Sequence, residues 1–334
     1  MIQEIRIKNY LSFRDEVVLS FEATKDTTFE ECQVVNVTPK VRLLRFALIY
    51  GANASGKSNL LKAMDFLRDF WFDKKSDIDE DTGVVPFLLD TETPNEPSEF
   101  NIKFFVGDKR YWYALVLDDK QVIKEDLYVY NSVQPSLVFS RELDGTASLI
   151  KLNASLVKAN ATIVEQLNVK CLSNMSFFAA RNQVNCSLAY IDEVRDWMKN
   201  NMMPIIEPGT RMFEYAGKQM EKNAELKAYI LDFVHKADYN ITDVYTEREK
   251  VPIPDFVKTS IMEDKDIPEK TKERMLADNA LERLRTDFQH TVKNKRGEEN
   301  YRLPNSLQSE GTKRTFGIEA AIYEAIKTNG ILPI

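Results

Sequence analysis

Only three cysteines and two histidines occur in this chain, and both shortages exclude chemistry. Cys32, Cys171 and Cys186 are odd in number and lack the paired spacing of a zinc site, so they read as buried or bystander thiols. With His235 and His290 alone, a histidine-based nucleophilic triad or a multi-histidine metal centre is hard to assemble. No apolar run approaches bilayer length, since even Phe46 to Tyr50 is far too short, and no membrane association is expected. The opening MIQEIRIKNY interleaves charges with Ile5 and Ile7 in strand-like alternation, the pattern of neither a signal nor a transit peptide, so the cytosol is the expected location. The net charge of −7 argues against a uniformly basic nucleic-acid coat, while a local basic patch stays open. Internal repeats and low-complexity segments are also missing.

What is present is the composition of a soluble globular protein, with 43% hydrophobic and 29% charged residues. A length of 334 residues allows one large or two modest domains and a proper buried core.

The most informative stretch is Leu43 to Leu60, LLRFALIYGANASGKSNL. It follows G-x-x-x-x-G-K-S, with Gly51, Gly56, Lys57 and Ser58 in the fixed places. Both glycines permit backbone angles and close approach that a Cβ would block, so consecutive N–H groups turn inward around phosphate oxygens. Lys57 reaches the β and γ phosphates, Ser58 Oγ ligates Mg²⁺, and the helix that starts there aims its positive dipole end at the same anion. Asn53, Ala54, Ser55 and Asn59 complete the expected nucleotide contacts. The flanks predict a buried strand through Leu43, Leu44, Phe46, Leu48 and Ile49, then a helix with Leu60, Leu61, Met64, Phe66, Leu67 and Phe70 on its apolar side. ATP and Mg²⁺ are the expected cofactors.

Around this motif the pattern divides at about residues 150 and 290. Residues 1–150 begin with a hairpin, Ile2, Ile5 and Ile7 followed by Val17, Leu19 and Phe21 around a turn at Ser12 to Asp15. After the loop and its helix comes the polar stretch Asp73 to Gly83, then short aromatic and β-branched segments, Glu99–Val106, Lys109–Leu117, Gln121–Tyr130 and Leu137–Leu143. Turn pairs at Gly107-Asp108, Asp118-Asp119 and Asp144-Gly145 make these an antiparallel meander inserted after the first helix. Residues 151–290 read mainly as a helical subdomain, with a strand at Asn240–Glu247. In its charged part, Asp255 to Arg285, the positions Met262, Met275, Leu276, Leu281 and Leu284 suit one apolar helix face, either a projecting arm or a solvated surface helix. Residues 291–334 hold a second polar turn, Ser309, Glu310, Gly311 and Thr312, which offers N–H donors and a hydroxyl at a helix N-terminus. The helix after it is patterned through Ile318, Ala321, Ile322, Ala325 and Ile326.

The opening IRIKNYLSF, the loop GANASGKSNLLKA with Asn53 and Asn59 in it, and the late SEGTKR resemble the SMC/RecF-type branch of ABC ATPases. Within that branch the chain is most similar to AAA-type ATPases of bacterial abortive-infection and restriction loci, the AbiL and OLD kinds. The resemblance covers roughly residues 1 to 130 and 285 to 334. It implies an α/β fold, the P-loop NTPase head of ABC type, with the antiparallel β meander and helical subdomain as insertions. It also implies a homodimer closed around two ATP molecules, each held by the loop of one subunit and the signature turn of the other. Lys57 and Ser58 would act in cis, and Ser309, Gly311 and Thr312 in trans, with Ser309 and Gly311 on the γ phosphate. Gln183, after the apolar run Met175 to Ala180, would be the glutamine that senses Mg²⁺ and the attacking water, a plain surface glutamine being the alternative. A nuclease of TOPRIM type, as partner or fused domain, and a role in anti-phage defence are implied too, with nucleic acid a possible further partner.

Hydrolysis in such a head needs an apolar strand ending in Asp-Glu, soon after the signature helix. The chain stops at Ile331-Leu332-Pro333-Ile334, where that strand is expected, so the C-terminal part of the head is expected to be missing. Leu188 to Glu193, LAYIDE, mimics the motif, but Leu188, Ile191, Val194, Trp197 and Met198 repeat at helical spacing. Two readings compete with the ATPase head: a non-hydrolysing ATP-binding scaffold or sensor, and a P-loop kinase, in which the meander and the late turn have no role.

Overall fold

Strand alternation at the N-terminus starts a sheet. Ile2, Ile5 and Ile7 are buried on β1 (Ile2–Lys8), which pairs antiparallel with β2 (Val17–Ser20). A short helix α1 (Glu30–Gln33) leads into β3 (Val34–Thr38) and β4 (Val41–Leu44), a separate two-stranded ribbon. Next come α2 (Lys57–Phe70) and the strands β5 (Ser98–Val106), β6 (Lys109–Leu117), β7 (Val122–Tyr130), β8 (Ser136–Asp144) and β9 (Ala147–Leu152). These five pair in chain order, each antiparallel to the last, and β1 joins them beside β5, giving a seven-stranded sheet β2-β1-β5-β6-β7-β8-β9.

This computed structural model describes residues 1–237, 239–264, 267–276 and 280–334. They form two compact units, residues 1–206 with 328–334, and residues 207–327. The division falls away from positions 150 and 290 because α3 (Ala161–Lys170), α4 (Phe177–Arg181) and α5 (Ile191–Asn201) bury their apolar faces in the core of the first unit. There Leu167, Phe177, Phe178, Val194 and Trp197 meet Phe100, Phe104, Tyr111 and Phe139 of the sheet and Leu60, Met64, Leu67 and Phe70 of α2. Trp197 stacks on Phe104 with centroids 4.3 Å apart.

One polar group is built into this core. Arg141 and Glu125 are wholly buried and ion-paired at 3.3 Å. The Arg141 guanidinium also donates to the carbonyls of Leu172, Ser173 and Met175 and to Ser148 Oγ. Glu125 accepts from Tyr113 Oη, Ser176 Oγ and Phe177 N. Every charge is met by several partners, the condition under which a buried pair is tolerated.

The second unit contains α6 (Met212–Lys222), α7 (Ala224–Lys236), β10 (Asp243–Pro252), α8 (Asp255–Glu263), α9 (Glu269–Leu276), β11 (Ala280–Asn294), β12 (Gly297–Pro304) and α10 (Glu310–Thr328), whose last residue belongs to the first unit. β10, β11 and β12 make an antiparallel sheet. Its core joins Val244 and Phe288 of the sheet to Ala216 and Met220 of α6, Leu226, Ile230 and Val234 of α7, and Phe316, Ala320 and Tyr323 of α10. The single apolar helix expected over Asp255 to Arg285 is replaced by two short helices and the start of β11, because residues 280–289 pair in register with β10 and residues 287–294 with β12. Of the positions named for that face, Leu284 is a strand residue, and the side chains of Met275 and Leu281 lie outside the described residues. On α10 the buried stripe runs through Phe316, Ala320 and Tyr323, leaving Ile326 exposed. Of the face expected through Ile318, Ala321, Ile322, Ala325 and Ile326, Ala321 is buried, Ile318, Ile322 and Ala325 are half-buried and Ile326 is exposed, because the bulky aromatics Phe316 and Tyr323 take the core.

Candidate nucleotide site

The loop begins where β4 has ended. Leu43 is buried, but Phe46, Leu48, Ile49 and Tyr50 are exposed, Tyr50 to 92%. No strand pairs with residues 45–50 among the described residues, so the buried strand expected through Ile49 stops at Leu44. Beyond Arg45, whose N–H donates to Gln33 O at 2.8 Å, no strand partner among the described residues satisfies its N–H and C=O groups, and the exposed segment stays solvated. Helix α2 does start at Lys57, and it buries Leu60, Met64, Leu67 and Phe70 as its spacing predicts.

Gly56 caps α2 with φ 88°, a left-handed angle that glycine adopts without penalty. Its surroundings add a second demand. A Cβ there would lie 2.7 Å from the Phe13 ring and 2.8 Å from Ser12 Oγ. The turn after β1 is therefore the floor of the loop, and Asn59 Nδ2 fastens it by donating to Ser12 Oγ at 2.8 Å. The turn is itself pinned: Tyr10 and Phe13 exchange backbone hydrogen bonds of 2.9 and 2.8 Å. Asn9, buried, donates from Nδ2 to Thr93 O and Glu96 O and accepts from Phe87 N. Sequence reasoning used IRIKNYLSF as a family mark and missed that Asn9, Ser12 and Phe13 shape the loop. The short stretch without charge, NYLSF, was the available signal.

Lys57 Nζ donates to Gly51 O at 3.0 Å and Ala52 O at 2.7 Å, so its ammonium lies across the mouth of the loop. Ala54 has φ 62°, which turns the chain back within Asn53, Ala54 and Ser55, all exposed. Ser58 is exposed on the first turn of α2, where helical N–H groups have no intrahelical acceptor. Free donors, a helix dipole, an ammonium and a hydroxyl converge in one place, the donor set an anionic phosphate chain requires. No cluster of three or more acidic, histidine or cysteine side chains suited to a metal occurs among the described residues. A Mg²⁺ ion here would take Ser58 Oγ, phosphate oxygens and water, the sparse protein ligation that ion accepts.

Ser309 stands just before α10. Its Oγ accepts from Thr312 N at 3.0 Å and lies 2.8 Å from Thr312 Oγ1, an N-cap in geometry. Gly311 is exposed, and a Cβ there would meet only Ser309 Oγ, at 3.7 Å. Gln308 Nε2 lies 2.7 Å from His290 Nε2, tying the approach to the turn to β11. This turn lies in the second unit and the phosphate loop in the first.

Gln183 follows α4, half-buried, with its Nε2 donating to Ala179 O at 3.5 Å. Its loop, with Arg181 and Arg195, lines a cavity of about 340 Å³. Arg181 organises that loop through Val184 O, Cys186 O and Asp192. The decoy LAYIDE is helical from Ile191, and its acids have structural partners. Asp192 pairs with Arg181 and accepts from Leu188 N, while Glu193 accepts from Lys109 Nζ and Tyr111 Oη. Beside Glu193, burial pushes the Tyr111 phenol well above its ordinary pKa.

Residues 46–151 match an AAA domain. The family is described as "AAA domain, putative AbiEii toxin, Type IV TA system". The matched residues are roughly a third of the chain and hold the loop, α2 and strands β5 to β8 with most of β9. The match supports an AAA-type P-loop ATP-binding domain of a kind associated with abortive infection. Among curated proteins, none matches. No helix among the described residues is long and apolar enough to cross a membrane.

Proposed function

We propose that the chain is the ATP-binding part of an ABC-type ATPase head that dimerises around Mg-ATP and controls a nuclease or nucleic-acid effector in anti-phage defence. The reading is of an AbiL or OLD kind, cytoplasmic, with a TOPRIM-type nuclease as effector. The observation that carries it is the loop: Gly56 at φ 88° against Ser12 and Phe13, with Lys57 and Ser58 opening α2. In this reading Lys57 holds the β and γ phosphates, and Ser58 holds Mg²⁺. Ser309 and Gly311 of a second copy cover the γ phosphate with Thr312 beside them in the nucleotide contact, and Gln183 senses Mg²⁺ and the attacking water. Charge supports the loop's part, since an ammonium contact to phosphate strengthens as water leaves the site.

Lys57→Ala removes that contact, worth roughly 1.5 to 3 kcal/mol, and lowers Mg-ATP affinity about ten- to a hundredfold by calorimetry. Unchanged affinity would sink the assignment. For the second copy, light scattering with a slowly hydrolysed ATP analogue should give a larger species for the native chain and not for Gly311→Asp, whose carboxylate faces phosphate. If both behave alike, Ser309 is a helix cap and nothing more.

A second reading, a non-hydrolysing scaffold or sensor, is favoured by the engagement of Asp192 and Glu193 in structural contacts. Phosphate release measured on the 334-residue chain separates the two. Turnover lost on Lys57→Ala supports the ATPase, and Mg-ATP binding without turnover supports the scaffold.

A further inference from the structure

The outward face of β5, β6 and β7 carries side chains that neither the loop nor the core uses. On β6, Tyr111, Tyr113 and Leu115 are buried, while Arg110, Trp112 and Ala114 alternate with them on the other face and are half-buried. Trp112 lies opposite Tyr128 of β7, rings stacked with centroids 4.6 Å apart and planes 18° from parallel. Arg110 lies opposite Tyr130, its guanidinium 4.3 Å from the ring centre. Two residues along a strand is about 7 Å, so the two stacks lie side by side. Trp112 Nε1 donates to Asn101 Oδ1 at 3.1 Å, which fixes the indole against β5.

Among the described residues, the charges that β1, β5, β6 and β7 carry on this face are matched with one exception. Lys103 and Arg6 pair with Glu4, Arg6 also with Glu16, Lys8 with Glu99, and Lys124 with Asp126 and Glu142. Arg110 has no ion pair among the described residues, and its Nε is buried without a hydrogen-bond partner. A cross-strand aromatic pair accounts for Trp112 with Tyr128. It does not account for an arginine without an ion pair placed 4.3 Å over a neighbouring tyrosine ring.

We propose that this face binds single-stranded nucleic acid, with bases stacking on Trp112, Tyr128 and Tyr130 and Arg110 meeting the backbone phosphate. The platform offers flat π-surface and, in Arg110, a cation without an ion pair among the described residues, so its occupant must bring flat rings and negative charge together. A proline-rich peptide lacks the charge, an acidic peptide lacks the rings, and a duplex keeps its bases inside. None of these residues belongs to the nucleotide loop, and binding here needs no ATP.

Fluorescence anisotropy at low salt, with labelled oligo(dT) and oligo(U) of about twenty nucleotides and a duplex of equal length, tests it. Either single strand should bind more tightly than the duplex. Trp112→Leu and Tyr128→Leu should each weaken binding by about five- to a hundredfold. Arg110→Gln, a change at a half-exposed site that spares the core, should weaken binding and reduce the salt slope by about 0.7. Absence of binding to both single strands, equal binding of duplex, capture of a proline-rich peptide instead, or unchanged affinity in Arg110→Gln would each overturn the proposal.

Discussion

Glu4 sits on β1 between two cations, Arg6 at 2.8 Å and Lys103 at 2.9 Å. Hydrogen bonds from Arg6 first, then Lys103, hold its carboxyl at about 2. A carboxylate depressed in the folded state stabilises the fold above its unfolded pKa, about 4.3, and loses that contribution as pH falls through the folded value. Urea midpoints should therefore decline for the native chain between about pH 4.3 and 2, and Glu4→Gln should flatten part of that decline. Identical pH profiles would show the pair to be solvent-screened. The same local reasoning explains Gly56, where a left-handed angle and a wall of Ser12 and Phe13 coincide.

Among the elements, the strands and α2 were legible because their signals are local. Alternation in KRYWYALVL and the turn pair Gly107-Asp108 suffice to draw β6 and its partner. The spacing of Leu60, Met64 and Leu67 suffices for α2. The geometry of the loop, Gly56 at φ 88° and α2 opening at Lys57, was legible because glycine, lysine and serine stand at fixed places. What stayed hidden depends on distant partners. Phe46 to Tyr50 has the composition of a buried strand, and burial requires a neighbour that composition cannot name. Residues 280–294 carry enough Leu and Arg for a helix, yet pairing with β10 and β12 overrides that propensity. Asn9 and the pair Arg141 with Glu125 also escaped, since their contacts span up to 88 and 52 positions. That pair gives an element-level expectation. Glu125→Gln leaves the Arg141 guanidinium buried without its carboxylate and should cost about 3 to 5 kcal/mol in urea unfolding. A joint replacement by apolar residues of similar volume should cost less than the single change, and equal costs would mean that the charges do not interact.

Each unit of the whole molecule has its own core. In the second, α10 crosses the start of α6 so closely that a Cβ on Gly317 would lie 2.3 Å from Met212 Cβ and 2.7 Å from its carbonyl carbon. Gly317→Ala should cost roughly 1 to 3 kcal/mol, read as faster hydrogen exchange in peptides from residues 207–327 with β5 to β8 unchanged. Protection unaltered in both units would mean that α10 shifts freely.

The first unit is interrupted in sequence and closed again by a short parallel pairing. Met202 bridges Ile331, Ile331 N donates to Asn201 O, and Ile206 N donates to Pro333 O, while Asn201 Nδ2 caps the carbonyls of Thr328 and Asn329. Because the two segments run the same way, the chain departs at Ile206 and comes back beside Asn201, about five residues away along the strand direction, or roughly 17 Å. A tight turn cannot bridge that gap. Residues 207–327 thus stand in sequence between the two paired segments, and a splice that reconnects Ile206 to Thr328 must supply a flexible span of about ten residues to preserve that pairing.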